Sequence, residues 1–276
     1  MRAASENSLK AGLKVLQQVM HQDDIDAMAI AENLYGLSDL ARTSNAVRQS
    51  LTDPGRADDD KRQLAHDLLT GGVEPQTIDI VQELAAGHWS HPSDIGEALE
   101  TLGNEAVFSA AERENKLAEV EAQLFAVNMF LSEHRDLRIE LSDLGVGTAH
   151  DRAHFAARLF GDAINPFTSR LVRRAVRLSV HGRLKAQLRD LTQQAAQRRG
   201  LLFAKVTSAQ PLEAQHVERL KGILEKKYGR AVTLNMSVDP ELIGGVRVRV
   251  GDQAINATVK SSLARARRDL ERYNSQ

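Results

Sequence analysis

The chain has 276 residues and 30.4 kDa, with 42% hydrophobic and 26% charged side chains and no cysteine. It can therefore bury real cores, and disorder, collagen, disulfides, thiolate metal sites and a cysteine nucleophile are all excluded. Its net charge of -1 hides a division: residues 1–105 carry net -10, residues 106–200 net +4 and residues 201–276 net +5, an asymmetry that suggests modules facing different partners.

In chain order, Arg2, Glu6, Lys10 and Lys14 interrupt the first twenty residues, which removes the hydrophobic region of a signal peptide. Leu9, Leu13, Leu16 and Met20 then recur at spacings of four, three and four, one face of a helix. Val120, Leu124, Val127 and Leu131 repeat that pattern. Breaks are expected at Asp53-Pro54-Gly55, Gly71-Gly72, His91-Pro92-Ser93, Gly145 to Gly147 and Asn165-Pro166, which leaves many short helices between them. The longest stretch without Asp, Glu, Lys or Arg is Ala122 to Ser132, about half the apolar length that crosses a bilayer, so no membrane insertion is expected.

Two stretches match at an offset of 90 residues: Leu34, Arg48, Leu51, Asp53, Arg62, Leu69 and Gly71 recur as Leu124, Arg138, Leu141, Asp143, Arg152, Leu159 and Gly161. Each runs helix, Leu-x-Asp, turn, helix and Gly, then a Pro suited to a helix's first turn. After Gly200 the period shortens to that of strands: Leu202, Ala204 and Val206 alternate with polar neighbours or Phe203, as do Leu234, Met236 and Val238, and then Val246, Val248 and Val250 opposite Arg247 and Arg249. Between them Val217, Leu220 and Leu224 mark a helix after Pro211. A last helix is expected from about Val259, with Leu263 and Leu270 beneath Arg265, Arg268 and Arg272. The fold class is mostly α with a small α/β C-terminal module: a helical bundle over 1–105, a similar bundle over 106–200, and a small mixed sheet with helices over 201–276.

The segment Val206 to Leu270 resembles the delta subunit of the bacterial F-type ATP synthase, the family of the mitochondrial oligomycin-sensitivity-conferring protein. Its most specific residues are Val238-Asp239-Pro240, Leu242-Ile243-Gly244-Gly245 and the run from Val246 to Gly251-Asp252, while Asn256-Ala257-Thr258 departs from the family's Gly-containing turn. The resemblance extends back through Leu117-x-x-Val120 and Ala110-Ala111-Glu112 to about residue 104, and the extra first hundred residues resemble the extended actinobacterial form. It implies a non-catalytic stator component without cofactors, peripheral on the cytoplasmic side of a bacterial cell membrane. The helical region would bind the alpha and beta subunits of the catalytic head, and the C-terminal module the b subunits of the peripheral stalk. Val107, Phe108 and Ala111 are either the alpha-binding surface or core positions, and Arg265, Arg268 and Arg272 are the candidates for b.

Other motifs offer little chemistry. His150 and His154 lack a third ligand at metal spacing, and Asp58-Asp59-Asp60 suits the first turn of a helix. Gly145-x-Gly147 and Gly244-Gly245 do not continue as nucleotide loops. Arg170, Arg173, Arg174 and Arg177 form a stripe at helical spacing, readable as a nucleic-acid surface, as a solvated face or as a dock for an acidic partner. Few aromatics and acidic neighbours argue against nucleic acid, which leaves a helical adaptor or nucleic-acid-binding protein as the alternative to the stator.

Overall fold

The computed structural model describes residues 1–22, 24–161, 163–199, 202–228, 232–239, 242, 245–250 and 253–258. It divides into two units, Met1–Leu191 and Thr192–Gln276.

The first unit is built from α1 (Ala3–Met20), α2 (Ala27–Thr43), α3 (Asn45–Thr52), α4 (Asp58–Leu69), α5 (Pro75–Ala86), α6 (Asp94–Arg113), α7 (Leu117–Glu133), α8 (Arg135–Glu140), α9 (Ala149–Phe160) and α10 (Pro166–Arg177), with α11 (Leu184–Arg198) crossing the division. Every expected break falls between helices or, at Asn165-Pro166, on the start of one. The punctuation is local chemistry: the Asn165 side chain accepts from Thr168 N with Pro166 in the first turn of α10, and Thr148 and Asp151 form a capping box on α9. Asp58 to Asp60 occupy the first turn of α4, where Asp58 pairs with the buried Lys61 at 3.0 Å, and the Lys61 ammonium also donates to Ala86 O at the end of α5.

The series α2, α3, α4, α5, α6 begins at Ala27, Asn45, Asp58, Pro75 and Asp94; the series α7 to α11 begins at Leu117, Arg135, Ala149, Pro166 and Leu184, each 90 or 91 residues later. The core repeats with it: Ala27, Ile30, Leu34 and Ala41 are buried on α2, and Leu117, Val120, Leu124 and Leu131 on α7. A division at 105/106 runs through the middle of α6, which is one helix of 20 residues, about 30 Å long. Nothing in its sequence stops it there: Gly96 and Gly103 bring it close to α2 rather than ending it. A Cβ on Gly103 would stand 2.6 Å from the Tyr35 ring.

The second unit is a four-stranded sheet of order β2-β1-β3-β4, from β1 (Leu202–Ser208), β2 (Val232–Val238), β3 (Gly245–Val250) and β4 (Gln253–Thr258), with α12 (Ala214–Tyr228) between β1 and β2. β1 runs parallel to β2 and antiparallel to β3, which pairs antiparallel with β4. Ala204, Val206, Leu224, Val232 and Val248 form its core, with Leu220, Leu234 and Val246 against it. Met236 and Val238, which alternate with Leu234, are exposed. The helix expected from Val259, with Arg265, Arg268 and Arg272, lies outside the described residues.

Candidate functional site

Three helices meet where the acidic first third of the chain faces the basic middle third. α2 contributes Glu32, Tyr35 and Asp39, α6 contributes Glu100 and Asn104, and α10 contributes Arg170, Arg174 and Arg177. Arg174 lies at the centre, its side chain 3% exposed. Its Nε donates to Glu100 Oε1 at 2.9 Å, and its Nη2 reaches Glu100 Oε2 at 2.5 Å and Asp39 Oδ1 at 2.8 Å. Arg177 pairs with the other Asp39 oxygen at 2.9 Å, and Arg170 pairs with Glu32. The guanidinium carbons of Arg170 and Arg174 stand 4.6 and 4.7 Å from the Tyr35 ring centroid, within cation–π range, and the Tyr35 hydroxyl donates to Asn104 at 2.7 Å.

The electrostatics are consistent throughout. Burial, reinforced by the Glu100 charge, holds the Tyr35 phenol far above its ordinary pKa, so it stays a neutral donor. Desolvation works against the Arg174 cation, but hydrogen bonds to Glu100 and Asp39, and their charges, outweigh it and raise its pKa. A second carboxylate, Asp143, accepts from Gly182 N at 2.8 Å and His181 N at 2.5 Å, and is held below the usual carboxylate range by those bonds.

The arginine stripe is therefore internal cement. Arg170, Arg174 and Arg177 are committed to Glu32, Glu100 and Asp39, which corrects its reading as a surface for nucleic acid or for an acidic partner. Arg173 is partly exposed on the same helix. The charge asymmetry of the sequence is in part satisfied within the helical unit. Val107, Phe108 and Ala111 are fully buried, because α1, α2 and α10 all pack on α6. They are core positions. His150 and His154 stack edge to face at 4.5 Å, and no cluster of three metal-ligating side chains occurs among the described residues.

A family model described as the ATP synthase delta (OSCP) subunit matches residues 104–270. The chain belongs to the ATP synthase delta (OSCP) family. It is 36% identical over 270 residues to ATP synthase subunit delta of Beutenbergia cavernae, covering 98% of this chain and 99% of that one. The same identity holds over 270 residues with the subunit of Streptomyces griseus, and over 281 residues with that of Parafrankia sp., where 99% of this chain and all of the relative are covered. These delta subunits thus share the residues that precede the family match. A chain in the cryo-EM structure of the Toxoplasma gondii mitochondrial ATP synthase hexamer is similar with a TM-score of 0.45 and 20% identity, covering 60% of this chain and 94% of that one.

Proposed function

We propose that this delta-family chain works as a non-catalytic stator component of a proton-translocating F-type ATP synthase, tying the alpha and beta subunits of the catalytic head to the b subunits of the peripheral stalk. The observation that carries the proposal is 36% identity to a subunit delta over 98% of the chain. In this reading the helical unit holds the head and the sheet unit, with Arg265, Arg268 and Arg272, holds b. The helical unit is best described as two six-helix copies, α1 to α6 and α6 to α11, that share α6. A stator must transmit torque without yielding, and a continuous α6 pinned by the Arg174 ion pairs to α2 and α10 suits that demand, since packed interiors transmit strain. Among the described residues no helix is long and apolar enough to cross a membrane, so attachment to the cytoplasmic face of the cell membrane runs through the partner subunits.

The test is depletion and return. Membranes carrying an ATP synthase stripped of this chain should hydrolyse ATP in the head yet fail to pump protons, and adding the purified chain should restore pumping. Pumping that is equal with and without the chain would refute the proposal.

A further inference from the structure

α7 carries an apolar stripe on its outer side. Phe125 and Met129 are 54% and 44% exposed, and Ala118, Ala122 and Ala126 lie exposed beside them at helical spacing. Single exposed apolar side chains need no explanation, whereas a continuous stripe does. The internal repeat supplies one. Shifting by 90 residues places Phe125 on Tyr35, Ala122 on Glu32 and Met129 on Asp39, while four buried positions of α2, Ala27, Ile30, Leu34 and Ala41, fall on buried Leu117, Val120, Leu124 and Leu131 of α7. Tyr35 is only 1% exposed. It is covered partly by α6 and partly by α10, a helix of the following repeat that lays Arg170 and Arg174 over its ring. No third repeat follows α7 and its successors: after α11 the chain turns to strand β1.

The geometry points to the Ala118–Met129 face of α7 as the docking site for one amphipathic helix of another protein, apolar on the side it buries and edged with Lys or Arg. The helical form follows from the way α10 covers the equivalent face of α2. The apolar centre follows from Ala122 and Met129 replacing the two carboxylates that α10 meets there. The basic edge follows from charge complementarity, because α7 carries Glu119 and Glu133 on its exposed side and no Lys or Arg. This assignment goes beyond the stator reading and stands or falls separately from it.

The test uses the full chain and a fluorescently labelled 20-residue helical peptide with a Leu/Ala stripe flanked by lysines, alongside a twin whose lysines are glutamates. Anisotropy at physiological salt should show saturable binding of the lysine peptide and at least tenfold weaker binding of the glutamate twin. Phe125→Glu and Met129→Glu should each weaken the lysine peptide at least tenfold. Phe125→Ala, which keeps the helix neutral, should weaken it several-fold without moving the melting temperature. Leu68→Glu, at an exposed leucine on α4, should change nothing. Equal binding of both peptides, binding unaffected by the α7 variants, or no saturable binding would overturn the assignment. So would sedimentation showing a dimer that Phe125→Glu dissociates, since the occupant would then be a second copy of this chain.

Discussion

Arg174→Ala is the sharpest single perturbation of the helical unit. The guanidinium is almost wholly buried and neutralises two carboxylates, Glu100 and Asp39, that come from different helices. Its removal leaves the mostly buried Glu100 without a cation and leaves Asp39 only the half-exposed Arg177. Losing one partner of a buried ion pair costs about 3–5 kcal/mol, mostly the penalty of the charge left behind. In a domain of this size 1 kcal/mol corresponds to about 2–4 °C, so the helical transition should fall by roughly 6–20 °C. Arg177→Ala is the internal control: Arg177 also pairs with Asp39, but its side chain is 45% exposed, and solvent-exposed pairs contribute only about 0–1 kcal/mol. Scanning calorimetry of both variants, with circular dichroism to identify the helical transition, supplies the comparison. If Arg174→Ala melts no lower than Arg177→Ala, the cluster is not what fastens α10 to α2 and α6.

Other outcomes follow from the same packing. Gly103→Ala should destabilise by about 1–3 kcal/mol in urea titration, because the new methyl meets a fully buried ring that has nowhere to move. Gly36→Ala should stabilise by about 0.5–1 kcal/mol in the same assay, since nothing lies within 4 Å of its Cβ direction and its counterpart in the second series is Ala126. Asp143→Asn should weaken the Asp143 bonds to His181 and Gly182 in a pH-dependent way. The native carboxyl titrates below its ordinary value, so its contribution is complete above about pH 4 and is lost as pH falls through the lower native value; melts of wild type and variant should converge in acid. Removing residues 201–276 should leave the helical unit folded and able to bind the alpha and beta head while abolishing capture of soluble b in pull-down, and retained b binding with lost head binding would show the polarity to be reversed.

Much of this was readable in the chain itself. Pro166 behind Asn165, the Gly-Gly after Leu69 and the Asp triplet before Lys61 are local signals, and local signals set helix ends. The 90-residue repeat predicted the order of helices, but not that α6 runs unbroken from the first copy into the second, because continuity depends on neighbours at Gly96 and Gly103 that lie far away in sequence. The arginine stripe was equally plain and its partners were not. Glu32 and Asp39 are seven residues apart, as are Arg170 and Arg177, so matched charge spacing on two helices was the available signal. Choosing between an internal and an external partner required knowing that α2 packs beside α10. Val107, Phe108 and Ala111 illustrate the same gap, since apolar residues on a helix look alike whether a partner or the chain's own α1 and α2 covers them.

The central claim is that this chain is a working part of the ATP synthase stator. A tagged copy expressed in its native cells, purified from gently solubilised membranes and resolved by native gel and mass spectrometry, tests it most directly. Alpha, beta and b subunits should be recovered with it in constant proportion, and deletion of residues 201–276 should remove b from the tagged material. Recovery of the intact chain free of every ATP synthase subunit, from membranes that still contain the assembled enzyme, would contradict the claim.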